Sequence, residues 1–126
     1  MNNKERFQLE YTFNSSLKVL YDRLSTPSGL SEWFADDVNV QGNILTFIWN
    51  DSEQKAEILN KKENKHVRFR WLDDDNEFFF EFKLSTHELT NEVTLLVIDF
   101  ATPDEIEESK ELWDSQISEL KRILGN

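Results

Sequence analysis

A chain of 126 residues suits one domain with one real core, in which roughly two-thirds of the unfolded surface becomes hidden. Fourteen basic against twenty-five acidic side chains give a formal charge of −11, which repels phosphate backbones and anionic lipid and argues against a nucleic-acid partner. The absence of cysteine excludes disulfides, thiolate nucleophiles, thiolate zinc sites and iron–sulfur clusters, and three Gly and two Pro leave little material for a phosphate-cradling loop or a flexible linker.

Ten Phe, four Trp and two Tyr carry much of the apolar volume, so the core is expected to be aromatic. No segment approaches the roughly 20 apolar residues of a membrane span, and the opening MNNKERFQLEYTF holds no apolar run of signal-peptide length. A single domain over residues 1–126, a cytoplasmic location and a monomer are the expectations.

Phe7, Leu9, Tyr11 and Phe13 alternate with Gln8, Glu10 and Thr12, a period of two that predicts a half-buried first strand. Leu17, Leu20, Tyr21 and Leu24 then follow helical spacing, opened by Asn14-Ser15-Ser16 and closed before Pro27. Thr26-Pro27 reads as a cap followed by Pro at the first position of a second short helix, carrying Leu30, Trp33 and Phe34. Ser15, Ser16, Ser25, Ser28 and Ser31 all fall near helix ends, where capping accounts for them.

From Val38 to Phe100 the chain predicts an antiparallel meander, with turns at Gly42-Asn43, Asn50 to Ser52, Lys62 to Asn64, Asp73 to Asn76 and Thr90-Asn91. Val67, Phe69 and Trp71 share one face opposite His66, Arg68 and Arg70. The next strand, 77–85, sets Phe78, Phe80, Phe82 and Leu84 opposite Phe79, Glu81 and Lys83. With strands 55–60, 66–71 and 77–85 side by side, Glu57, Arg68, Arg70, Glu81 and Lys83 would form charge pairs on the solvent face. Asp99 interrupts the run Val93 to Phe100. With Leu96, Ile98 and Phe100 inward it faces solvent, the register expected here; the opposite register would put a carboxylate inside, with a raised pKa unless paired.

Thr102-Pro103-Asp104-Glu105 combines an N-cap, Pro at the first helical position and a capping-box Glu, opening a long helix. Its stripe of Ile106, Trp113, Ile117, Leu120 and Leu124, supported by Leu112 and Ile123, runs to a stop at Gly125. A stripe of that length needs a large apolar surface, which the concave side of a bent sheet supplies. The predicted class is therefore α+β: a curved antiparallel sheet wrapped around a long C-terminal helix, with two short helices after strand one.

Candidates for chemistry are few. His66 and His87 lie in separate segments without ligand spacing for a metal, and the run Asp73 to Glu77 lacks the spacing and central Gly of a calcium loop. Asp36-Asp37, following Trp33-Phe34, would either place a carboxylate at a cavity mouth or serve as exposed loop acids. No Ser-His-Asp order, Walker-type loop or dinucleotide fingerprint can be assembled, so no catalytic residue, metal or cofactor is assigned.

The order strand, two short helices, six-strand meander and long terminal helix resembles the helix-grip arrangement of the START-like superfamily, also called SRPBCC. Leu24 to Phe34, LSTPSGLSEWF, is similar to the "T-p-e-x-l-x-x-W-f" signature of proteins related to the C-terminal domain of the heat-shock-protein ATPase activator (Aha type). His66 to Trp71, HVRFRW, resembles that group's "v-x-f-x-W" strand. Trp113 sits where the group often carries a Gly-Trp pair, with Leu112 in place of the Gly.

The resemblance implies a cavity between the terminal helix and the sheet that holds a hydrophobic or amphipathic small molecule, such as a lipid or aromatic metabolite. Its implied lining is Trp33, Phe34, Trp49, Phe69, Trp71, Phe80, Phe82, Leu112, Trp113, Gln116 and Leu120, with Tyr11, Ser109 and Gln116 as polar groups to orient a guest. The same rings would equally interlock as a closed core. A non-enzymatic ligand-binding module is the leading expectation. A co-chaperone-like module with a chaperone as partner is the second, and a cyclase-, dehydratase- or hydrolase-like enzyme, which would need an inward acid or base, is the third.

Overall fold

Period-two alternation and asparagine-rich turns produce seven strands in the computed structural model, which describes residues 3–126. They are β1 (Glu5–Phe13), β2 (Asp37–Gln41), β3 (Ile44–Trp49), β4 (Ser52–Lys62), β5 (His66–Trp71), β6 (Phe80–Thr86) and β7 (Val93–Ala101). Helices α1 (Leu17–Ser25) and α2 (Pro27–Leu30) follow β1, and α3 (Ile106–Leu124) closes the chain. The strands form one antiparallel sheet in the order β1-β7-β6-β5-β4-β3-β2, a meander whose last strand returns to pair with the first.

Four of the tight turns each hold one residue in the left-handed region: Gly42, Asn50, Asn64 and Asn91, with φ of 64°, 46°, 62° and 60°. Asn tolerates this geometry because its short polar side chain bonds locally. Between Ile58 and Asn60 the register of β4 against β5 slips by one residue. Such a bulge bends its strand and deepens twist, and it lies in the second half of the longest strand.

The concave face carries Leu45, Phe47, Val67, Phe69, Phe80, Phe82, Leu95 and Val97, all almost wholly buried. Trp113, Ile117 and Leu120 of α3 press onto it, completing one continuous core. Ser16 caps α1 by accepting from the Val19 N–H at 3.1 Å, and Gly125, at φ 75°, ends α3 with its N–H on the Arg122 and Lys121 carbonyls. Asn126 fastens this end to the start of α1, its carboxamide oxygen accepting from the Asn14 N–H and its NH2 donating to Ser15 Oγ at 2.8 Å.

Several elements differ from expectation, each for a local reason. α2 stops at Leu30, so Trp33 and Phe34 lie in the turn beyond it. Thr102 to Glu105 do not form the expected capping box: they make a turn closed by the Glu105 N–H on the Thr102 carbonyl at 2.8 Å, with Thr102 Oγ1 donating to the Glu105 carboxylate at 2.8 Å, and regular helix starts at Ile106 without a side-chain cap. β6 begins at Phe80 instead of Glu77. Phe78 turns to the flank instead, where it meets Phe100 at 5.2 Å and lies beneath the Lys4 ammonium. Glu81 is not on an open face: it is 2 % exposed, held by Arg68 at 3.0 Å, while the Arg68 guanidinium covers the Phe79 ring at 3.9 Å. Arg70 pairs with Glu57 across β4 and β5, as the register requires. Leu112 does not join the buried stripe and is 61 % exposed.

The two leucines of α3 make a paired test of this packing. Leu120→Ala, in a site with no exposure, is expected to destabilise by about 2–5 kcal/mol, whereas Leu112→Ala should stay within about 0.5 kcal/mol. Urea denaturation of the two variants measures the difference, and equal losses would mean that α3 is rotated from the position described.

Candidate functional site

Phe34 organises the opening between α3 and the sheet. Thr26 caps α2, its Oγ1 accepting from the Gly29 N–H at 3.0 Å, and α2 lies so tightly on α1 that a Cβ on Gly29 would come within 2.3 Å of the Asp22 carbonyl oxygen. The turn that follows is pinned by Trp33, whose indole N–H donates to the Arg23 carbonyl at 2.8 Å. The Phe34 carbonyl then accepts from two other elements: Trp49 Nε1 of β3 at 2.8 Å and Gln116 Nε2 of α3 at 3.4 Å. Its ring lies 5.0–6.5 Å from those of Trp33, Phe47, Trp49, Trp71, Phe80 and Trp113.

Above this cluster a cleft of about 220 Å³ opens, lined by Phe34, Trp49, Gln54, Trp71, Asp99, Ser109, Leu112, Trp113 and Gln116. Of the residues expected at a ligand site, Phe34, Trp49, Trp71, Leu112, Trp113 and Gln116 meet here, with Leu112 as an exposed lip. Trp33 lines a neighbouring depression instead. Phe69, Phe80, Phe82 and Leu120 lie beneath, at most 1 % exposed, and act as packed floor. Ser109 reaches the cleft, but Tyr11 does not orient a guest there, because its hydroxyl donates to Asp114 at 2.6 Å on the flank of α3. Asp36 sits beside the mouth, its carboxylate accepting from the Asn50 N–H at 2.8 Å.

Two lining residues were not anticipated. Gln54 shares a face with buried Ala56, two positions on, a signal that alternation in β4 carries. Asp99 reverses the expected register. Val93, Leu95 and Val97 point into the core, and Asp99 continues their row opposite Phe7 of β1. Both alternating sets in β7 are apolar, so period two alone did not distinguish them.

Inside, Asp99 Oδ2 accepts from the Trp113 indole N–H at 2.9 Å and Oδ1 from the Phe100 N–H at 2.7 Å. Burial pushes its carboxyl up from the usual 3.8 to about 6, against the downward pull of those two hydrogen bonds and of the Lys4 charge. Lys4 itself pairs with Asp74 at 2.7 Å, and Asp74 pushes Asp99 the other way. Among the described residues no group of three or more His, Asp or Glu could hold a metal ion.

A sheet gripping one terminal helix, roofed by two short helices and open at an aromatic mouth, defines a helix-grip domain. The chain belongs to the START-like superfamily, whose domain model matches residues 1–126. It is 42 % identical to a Bacteroides fragilis protein solved by NMR, over 98 % of this chain and 92 % of that one, with a TM-score of 0.71. An Aha1 dimer from Colwellia psychrerythraea shares the fold at TM-score 0.80 and 19 % identity, covering 95 % of this chain and 96 % of that one. DynU16, a protein of the dynemicin biosynthetic locus, does so at TM-score 0.79 and 17 % identity, over 96 % of this chain but 47 % of its own. No protein of curated function matches the sequence.

Asp99 has a thermodynamic signature. A carboxyl raised on folding favours the native state most below its unfolded pKa near 3.8, and that contribution is lost as pH rises through about 6. Asp99→Asn removes the titration. Its stability relative to the unmodified protein should therefore rise by about 2–3 kcal/mol between pH 4 and pH 7.5, whatever constant offset the altered hydrogen bonding adds. Denaturant curves at both pH values measure this, and a pH-independent difference would place Asp99 in solvent.

Proposed function

We propose that the chain is a non-enzymatic binding domain for a small hydrophobic or amphipathic molecule, held at the aromatic mouth between α3 and the sheet. The observation that carries this reading is the convergence of four polar side chains, Gln54, Asp99, Ser109 and Gln116, on a cleft whose other walls are rings and one leucine. Apolar walls with a few placed polar groups are what small-molecule sites share. A volume of about 220 Å³ lies below the ~300–1,000 Å³ usual for drug-sized ligands, and Phe69, Phe80, Phe82 and Leu120 beneath it are at most 1 % exposed. The guest is therefore closer to a single-ring or indole-sized metabolite than to a sterol or a whole lipid.

The inward Asp99 favours a second reading, proton transfer to or from the guest, because a carboxyl titrating near 6 serves as acid and base close to neutral pH. Among the described residues no other ionisable group lines the cleft to complete an acid–base pair, which is why binding is preferred. Thermal scans against lipids, sterols and aromatic metabolites test the proposal. Ligands at about a hundred times Kd stabilise the native state by about 2.7 kcal/mol, a rise of several degrees in Tm. Small aromatics should give that rise and be recovered unchanged. A panel without any shift would sink the binding reading, and a chemically altered guest would favour catalysis.

A further inference from the structure

Charge at the cleft is one-sided. Among the described residues Asp99 is the one ionisable group lining it, and each of its oxygens keeps acceptor capacity beyond the Trp113 and Phe100 bonds. The depression that shares Ser109 and Leu112 with the cleft adds Glu105, Glu108 and Glu111 and, among the described residues, no basic one. These acids also suit the first turns of α3, where the helix dipole favours negative charge. The depression on the other side, sharing Trp49 and Gln116, contributes Asp36, while its Glu32 and Glu119 are paired to Arg23 and Arg122. The whole chain, at −11, adds a long-range field of the same sign.

Aromatic walls act in the same direction. A cation over the face of Trp or Phe is drawn to the negative π surface, more strongly where water is displaced. Phe34, Trp49, Trp71 and Trp113 surround the space in front of the Asp99 carboxylate. An anionic guest would meet the same groups as repulsion and would leave Asp99 desolvated without a counter-charge.

We infer that the guest is a small organic cation, an amine carried on an apolar or aromatic body, whose ammonium pairs with Asp99 while its body lies among the tryptophans. The inference rests on the small-molecule reading of this cleft and specifies its ligand class. Pairing with a cation favours ionised Asp99, so affinity is highest above about pH 6 and falls as pH drops through that range. The other charges acting on Asp99 are Lys4, just before β1, and Asp74, in the β5–β6 loop, which already pair with each other at 2.7 Å.

Three molecules of one shape separate charge from hydrophobicity: 2-phenylethylamine, 2-phenylethanol and phenylacetate. Titrations followed by the indole N–H signals in ¹H–¹⁵N spectra, where Trp113 reports on Asp99 directly, give each Kd. The amine is expected to bind about ten- to a hundredfold more tightly than the alcohol at pH 7.5, with phenylacetate weakest. That preference should shrink at pH 5 and disappear in Asp99→Asn, whose folding is checked by Tm. Equal affinities for amine and alcohol in the unmodified protein would overturn the cation inference and leave the small-molecule reading standing. Absence of binding by all three overturns the inference too, and the broader thermal panel then decides the reading on its own.

Discussion

The Phe34 carbonyl is the point on which the architecture turns. Its two donors come from Trp49 on β3 and Gln116 on α3, and the residue itself belongs to the roof. One oxygen thus ties the three layers of the domain together at the place where they would otherwise part. The six neighbouring rings make the same junction apolar, so the hydrogen bonds lie in a surrounding of low polarity, where loss of a partner is costly. A cleft beside such a junction has fixed walls. Its shape is set by contacts that also hold the helix in the sheet, and a guest would enter a site formed in advance instead of ordering a loose one.

Two carboxylates of this sheet are drawn out of water, Glu81 fully and Asp99 in large part, and they are treated differently. Glu81, on the convex side of β6, has the Arg68 guanidinium at 3.0 Å, and that guanidinium is in turn stacked on Phe79. Asp99, on the concave side of β7, has an indole N–H and a backbone N–H but no cation within ion-pair distance among the described residues. Neutral donors offset only part of what a carboxylate loses on leaving water. A structural role alone would be served better by Asn or by a paired arginine, as at Glu81. An unpaired acid at the edge of an aromatic cleft is therefore a place where stability has been given up, the usual mark of a functional position.

Much of the fold was legible because its signals are local. Strand alternation, the asparagine turns, the Ser16 and Thr26 caps and the α3 stripe all appear where residue chemistry puts them. The site was legible by half. Phe34, Trp49, Trp71, Trp113 and Gln116 stood out as large or polar residues and line the cleft, but whether a ring faces a cavity or another ring depends on packing across elements far apart in the chain, and Trp33 lies in a neighbouring depression instead. Phe69, Phe80 and Phe82 went to the floor for that reason, with no local signal to separate them from Trp71. Leu112 likewise sits at a spacing compatible with the stripe, but the helix turns it outward.

Asp99 shows the deeper limit. Alternation locates a buried face only when the other face is polar, and β7 is apolar on both. The strand lies between β1 and β6, its concave side under α3 and its convex side beneath Phe78, Phe79 and Arg68, so both faces need apolar residues. Under those conditions one polar residue carries no directional information of its own, and assigning it to solvent follows only from the general cost of burying a charge. That cost is real, and here it was accepted. The indole of Trp113, a donor without acceptor capacity, is the group that makes an inward carboxylate tolerable, and it sits fourteen residues away on another element. The Asp–Trp bond between β7 and α3 is thus both one of the contacts that hold the helix over the cleft and the feature that gives the cleft its charge.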